Sequence, residues 1–370
     1  MNLEFSEDQK FIQQTARDYL NEQASLEVCR AVLESEQPYQ EDLWKGVAEM
    51  GWLGAVVPEE FGGAGLGYLE LVLIAEELGR ALAPIPFSSS VYLATEALLI
   101  AGSDEQKQKY LPRLCSGELI GTFALAEGVG DLETDALETT YADGKLTGEK
   151  LPVLDGDVAG IAAVLAKSSS GPTLALVDLD GEGVVRTPLQ SLDASRSQAG
   201  IRFSAAPAER LGEEGRGAEL ASRLLDRAAV LMGFEQIGGA ERTLELTREF
   251  TMGRYTFGRP VASYQALKHR LADLYAAIQI ATSNGYYAAW ALSEDNDQLP
   301  VSACSTRVAA SEAFCLGSEE MIQMHGGVGF TWEYDCHLFF RRAKLLSLAL
   351  GSPSAWREKL IQRLEAADAA

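Results

Sequence analysis

Residues 254 to 269 read RYTFGRPVASYQALKH and gather Arg254, Phe257, Gly258, Arg259 and Gln265 into one short stretch. A guanidinium offers a planar fork of donors that matches phosphate oxygens. A phenyl ring offers a flat face, and glycine lets the backbone come close to a ligand. Together these types suit a phosphate-bearing ligand with an aromatic end. The rest of the chain heightens the contrast, with 31 Lys and Arg against 54 Asp and Glu, a net charge of −23 and a pI near 4.6. Such a surface repels nucleic acid, so no nucleic-acid partner is expected, and any anionic ligand needs a local positive site. The plainer alternative is a turn between helices, with a solvated arginine and a core phenylalanine.

Other chemistries find less support. GVGD at 128–131 lacks the third glycine of a dinucleotide fingerprint and opens no helix, while GGAGLG at 62–67 follows a helix where a strand is required. There is no P-loop, and His269, His325 and His337 form no HExxH, so no metal centre is expected. The five cysteines (Cys29, Cys115, Cys304, Cys315, Cys336) are scattered, odd in number and without a CxxC pair. That argues against disulfides and a structural zinc site and for a reducing, cytoplasmic setting. The start, MNLEFSEDQK, is polar and acidic and does not read as a signal peptide. No run of eighteen apolar residues predicts a membrane span.

Three textures along the chain must position these residues. Residues 1–117 read as an N-terminal all-α domain. FSEDQKFIQQTARDYL has a Ser6 cap, EDLWKGVAEMGWLGAVVP stops at Pro58, YLELVLIAEELGRAL is a buried helix, and SDEQKQKYLPRLCSG runs from a Ser103 cap to Gly117. PEEFGGAGLG is a glycine-dense turn between helices. Residues 118–208 hold short apolar runs (TFALAEG, GKLTGEKLPVL, GIAAVLAK, TLALVDLD, AGIRFSAA) broken by Gly and Asp, which predicts a small central β-domain. Residues 209–370 return to long helices and predict a four-helix-bundle-like α domain. The class is α+β, with helices, then strands, then helices.

On four motifs in this order the chain resembles the acyl-CoA dehydrogenase family: PEEFGGAGLG, SRSQAGIRFSAAPAERLG, RYTFGRPVASYQALKH, and QMHGGVGFTWEYD followed by RRAKLL. The likeness runs end to end. It implies an FAD enzyme that removes hydrogens from Cα and Cβ of an acyl-CoA, a carboxylate taking the α proton while the β hydride passes to flavin N5. It also implies tetramers of paired dimers in which each FAD lies across a dimer interface, and an electron-transfer flavoprotein as a partner. On this resemblance Arg254, Phe257 and Gln265, with Gln323, Gly326 and Gly327, hold the pyrophosphate and adenylate end of a neighbour's FAD.

The chain departs from the family where its own flavin ring should sit. FALAEGVGD has Ala126 for the usual threonine, keeps Glu127 and runs two residues short before Asp131. GEKLPVLDG puts Pro152 and Leu154 where the family has a ring-packing Trp and a Thr. Proline also removes a backbone donor. The two usual base positions are Leu350 and Ala228, and neither can take a proton. Glu235 lies two helical turns after Ala228 on the same face and is the candidate base, with pairing inside the core as the alternative. Asp226 reads as an ion-pair partner of Arg223 or Arg227, and Glu333 as a structural acid. Arg341 and Arg342 are either phosphate ligands or partners of surface acids, and His325 is either a ligand contact or structural.

Three readings follow. In the first, this chain is the degenerate smaller subunit of an α2β2 acyl-CoA dehydrogenase for bulky acyl groups, clamping FAD for a paralogous catalytic subunit. In the second it is a self-sufficient homo-oligomer using Glu235. In the third it is a non-catalytic scaffold.

Overall fold

The computed structural model describes residues 5–130 and 136–368. Asp131 falls outside them. The chain divides into two compact units, one of Met1–Arg30, Tyr68–Ala83 and Ala229–Ala370, the other of Ala31–Gly67 and Pro84–Ala228. The helices are α1 (Glu7–Gln23), α2 (Leu26–Leu33), α3 (Glu41–Glu49), α4 (Tyr68–Ala81), α5 (Glu96–Ala101), α6 (Asp104–Cys115), α7 (Gly217–Gly253), α8 (Gln265–Ser293), α9 (Leu299–His325), α10 (Cys336–Leu348) and α11 (Pro353–Asp368).

The unit of Ala31–Gly67 and Pro84–Ala228 carries seven strands: β1 (Gly121–Ala124), β2 (Thr140–Ala142), β3 (Lys145–Leu154), β4 (Ile161–Ser168), β5 (Gly171–Asp178), β6 (Val184–Pro188) and β7 (Gln198–Leu211). β4 pairs with β2 and β5, β3 with β2 and β7, and β5 with β7. Five strands therefore close on themselves as a small barrel, which removes free edges. β1 adds to β4 in parallel and β6 to β7. Leu146, Val153, Leu174, Leu176, Ile201 and Phe203 are among its buried side chains.

β4 shows no alternation, because Ile161 to Ala166 are all buried. Beside it, a wide-turned helical segment over Ser88–Thr95 packs on β1, where a Cβ on Gly121 would meet Ala94 Cβ at 2.4 Å. The segment is anchored by a fully buried ion pair, Arg196 to Asp155 at 2.7 Å, into which Ser88 and Ser89 hydrogen-bond. Every partner in this pair is satisfied, as burial of charge demands.

In the other unit, α7 meets α8 where Phe234 stacks on Tyr286, α9 where Arg307 donates to Gln236, and α10 where Arg342 approaches Glu235, while α8, α10 and α11 pack on α9 and α1 on α4. Both helices with predicted serine caps begin at full capping boxes, Ser6 with Gln9 and Ser103 with Gln106. The α4–α7 crossing is backbone on backbone. A Cβ on Gly238 would lie 1.9 Å from the Glu76 carbonyl oxygen, and one on Gly79 would lie 1.8 Å from that of Glu235. Only glycine permits that approach.

Candidate functional site

α7 ends at Gly253, and the chain reverses in a two-stranded hairpin, β8 (Tyr255–Thr256) against β9 (Arg259–Pro260). Its two tip residues, Phe257 and Gly258, both have positive φ, at 52° and 77°, the pattern of a type I′ turn. A phenylalanine in that region is strained, and the residue is 93% exposed. The hairpin itself is braced. Val261 N–H donates to the Arg254 carbonyl at 2.7 Å, the Tyr264 hydroxyl donates to the Thr256 carbonyl at 3.0 Å, and the Arg259 guanidinium lies 3.9 Å over the Tyr264 ring.

The hairpin joins the glycine motif through one stack. Phe250, in the last turn of α7, lies on His325, the last residue of α9, with ring centroids 4.0 Å apart. His325 is buried and its Nδ1 bonds the Met321 carbonyl at 2.7 Å. Burial holds its imidazole below the usual pKa, opposed by that backbone bond. Next to it, Arg270 on α8 pairs with Glu320 on α9 at 2.5 Å, which sets the N-terminus of α8 beside the C-terminus of α9.

These contacts bring all six predicted ligand residues to one end of the helical unit. Arg254, Phe257 and Gln265 are exposed there, as are Gln323, Gly326 and Gly327. A Cβ on Gly258, Gly326 or Gly327 would meet nothing within 4 Å, so the glycines border open space. The first turn of α8 begins at Gln265, and its free N–H groups favour an anion. A guanidinium, an aromatic face, two amides and bare backbone, all exposed, fit a phosphate-bearing nucleotide.

The strand positions in the barrel unit are a different environment. Pro152 is exposed and has no N–H, and the Leu154 carbonyl accepts the Thr122 hydroxyl at 2.6 Å. Leu151 N–H donates to the Ala126 carbonyl and Gly128 N–H to the Leu151 carbonyl, both at 2.9 Å, so these donors are spent within the chain. Glu127, which the chain keeps from the family motif, accepts N–H groups of Glu138 and Thr139 and the Lys150 ammonium at 2.7 Å. Burial pushes its carboxyl up, but these donors outweigh it and hold the group below the ordinary value. Lys150 is fully buried. The acid is committed to a clasp between loop and strand.

Leu350 and Ala228 are both buried. The Leu350 carbonyl takes the Trp356 indole N–H at 2.9 Å. Glu235 is 3% exposed, with the Arg342 guanidinium 4.0 Å away. Arg342 also donates to the Leu82 and Ala83 carbonyls at the end of α4, so the acid it meets is buried and not one of the surface acids expected for it. Asp226 is buried, and its neighbour Arg227 pairs with Glu96 at 2.8 Å. Glu333 is exposed, and its carboxyl is lowered chiefly by its own backbone N–H, then by the Thr331 hydroxyl. Arg341 lies 5.4 Å over the Trp332 ring. Sequence reasoning did not reach the Phe250–His325 stack, because its members are some seventy-five positions apart and only the fold joins them.

Comparison with known proteins matches this arrangement. The N-terminal domain model of acyl-CoA dehydrogenases covers residues 6–118 and the C-terminal domain model covers residues 215–364. The chain belongs to the acyl-CoA dehydrogenase family. Members of this family are FAD-dependent flavoproteins and oxidoreductases of acyl-CoA. The chain is 35% identical to the acyl-CoA dehydrogenase IpdE2 of Mycolicibacterium smegmatis, over 98% of this chain and 99% of that one. Its fold is similar to the Tcur3481-Tcur3483 steroid ACAD, with a TM-score of 0.90, 30% identity, and 98% and 99% of the two chains covered. It is similar also to the ChsE4-ChsE5 complex from Mycobacterium tuberculosis, with a TM-score of 0.89, 28% identity and 99% of each chain covered. Among the described residues, no helix is long and apolar enough to cross a membrane.

Proposed function

We propose that this chain is one subunit of a heteromeric acyl-CoA dehydrogenase and that it clamps the adenylate end of an FAD whose ring and catalytic base belong to a paralogous subunit. One observation carries this reading, an asymmetry between the two half-sites. The end of the helical unit keeps Arg254, Phe257, Gln265, Gln323 and three open glycines, while the strand side has only Ala126, Pro152 and Leu154 and has spent its nearby backbone donors. The first half fits FAD and the second does not fit an isoalloxazine ring. A phenylalanine that is both strained and 93% exposed also makes sense as a contact for something outside the chain.

In this reading Arg254 holds pyrophosphate oxygens, the Phe257 ring packs against the cofactor, and Gln265 and Gln323 orient the adenylate. Bound FAD supplies the hydride acceptor for α,β-dehydrogenation to the enoyl-CoA. Glu235 is the alternative base of a self-sufficient enzyme, but its placement beside Arg342, which in turn caps α4, supports a core ion pair. The steroid ACAD and ChsE4-ChsE5 structures support a bulky acyl-CoA such as a steroid side chain and a paired assembly. An electron-transfer flavoprotein as the onward acceptor, and a cytoplasmic setting, belong to the same proposal.

α8 offers the matching surface. Ala272, Tyr275, Ala276, Gln279, Ile280 and Ser283 are exposed along one face, and Asp273 is the single charge in residues 272 to 283. A water-facing helix ordinarily carries more charge than that. The test is purification of the chain alone and with the product of a neighbouring paralogous gene. A colourless chain that takes up FAD and oxidises acyl-CoA only in the pair supports the proposal. A yellow, active chain alone supports the homo-oligomer, and a chain colourless with every paralogue supports the scaffold.

A further inference from the structure

A polar cluster buried at Glu76 and Glu77 and open to solvent at its rim lies in the packing of α1, α4, α7 and α8. Four carboxylates meet there: Glu76 and Glu77 from α4, Glu241 and Glu245 from α7. The cations facing them are Arg17 from α1 and Arg80 from α4, with Arg242 at the edge of α7, and α8 adds the Tyr286 phenol. The cations are engaged elsewhere than Glu76. Arg17 grips Glu77 at 2.6 and 3.0 Å, and Arg80 reaches Glu77 at 3.5 Å, Glu241 at 3.4 Å and Glu245 at 2.7 Å. Arg242 also holds Glu245, at 3.2 Å.

Glu76 receives a single neutral donor, the Gln13 amide, at 3.1 Å on Oε1. Its Oε2 is buried with no hydrogen-bond partner. A buried carboxylate that lacks a paired cation is far costlier than the neutral acid.

We infer that the folded chain carries Glu76 as a neutral acid, and that its one proton is a built-in pH switch on the packing of α1 and α4 against α7. Burial, then the charges of Glu241 and Glu77, push its carboxyl up from 4.5 to about 8, with Arg80 and Arg17 opposing. Glu241 is raised as well, first by burial, and the Tyr286 phenol is pushed up to about 12 by burial and then by Glu76 and Glu241, so it stays neutral throughout. The sign follows directly. Between pH 4.5 and about 8 the folded chain binds a proton that the unfolded chain has lost, so this group's contribution to stability is greatest below that window and falls as pH rises through it. One such group lowers the ratio of folded to unfolded chain by about tenfold per pH unit.

The experiment is denaturant unfolding of the full chain from pH 5 to pH 9, wild type against Glu76→Gln, which mimics the neutral acid. The variant should gain on wild type as pH rises, its folded-to-unfolded ratio growing relative to wild type by about 10²-fold or more between pH 5 and pH 8. A gap that is constant with pH, or a variant less stable than wild type at pH 8, overturns the inference. So does the same gain from Glu241→Gln with none from Glu76→Gln, because the proton then sits on α7. If Glu76→Gln does not fold, infrared spectra of the wild type decide. A protonated carboxyl C=O band at pH 7 that vanishes above pH 9 supports the switch, and its absence at pH 7 refutes it.

Discussion

At the scale of single residues, Arg254 and Glu235 have opposite prospects. Arg254 is exposed at the base of the hairpin and positioned for an anion from outside the chain. Charge-assisted hydrogen bonds contribute about 1.5–3 kcal/mol each. Arg254→Gln is therefore expected to weaken FAD retention by the paired assembly roughly 10- to 100-fold, read by flavin titration, with little change in Tm. For Glu235→Gln the expectation is reversed. Its carboxylate faces a buried guanidinium, and removing one member of a buried pair costs about 3–5 kcal/mol at close range, less at the 4.0 Å seen here. Tm should fall while turnover of the assembled enzyme holds. A loss of turnover near 10²-fold or more would instead make Glu235 the base.

At the scale of elements, crossings and faces decide. The α4–α7 crossing tolerates no side chain at Gly238, where a Cβ would lie 1.9 Å from the Glu76 carbonyl oxygen. Gly238→Ala should destabilise by about 1–3 kcal/mol despite alanine's better helix propensity, seen as a lower denaturant midpoint. The exposed face of α8 makes a different forecast. Tyr275→Asp with Ile280→Asp should leave the folding of the chain intact and abolish co-purification with the paralogue. The local signals of such elements were legible in the sequence. Ser6 and Ser103 announced caps that are there, and the short apolar runs from TFALAEG to AGIRFSAA became strands. The Ser88–Thr95 segment carried no such signal, since it is buried on every side and shows no period to read. The long-range contacts were equally silent. The period of YLELVLIAEELGRAL marks a buried helix, but that Glu76 turns inward without a cation depends on what α1, α7 and α8 bring to it.

At the scale of the whole molecule, the proposed clamp sets a few exposed cationic and polar groups against a strongly acidic chain. Its net charge of −23 sets a repulsive background for any phosphate ligand, so binding depends on local groups such as Arg254 and the start of α8. The sequence named Arg254, Phe257, Gln265, Gln323, Gly326 and Gly327 as candidate ligands, and the fold leaves all six exposed near the Phe250–His325 stack. What joins them, the Phe250–His325 stack and the Arg270–Glu320 pair, was not readable, because both contacts link different helices. The most direct test of the proposed function is the flavin absorbance of the chain purified by itself and then with its paralogue. The account predicts no bound flavin alone and FAD bound with acyl-CoA-dependent reduction in the pair. A full complement of FAD bound to the lone chain and reduced by acyl-CoA would contradict it.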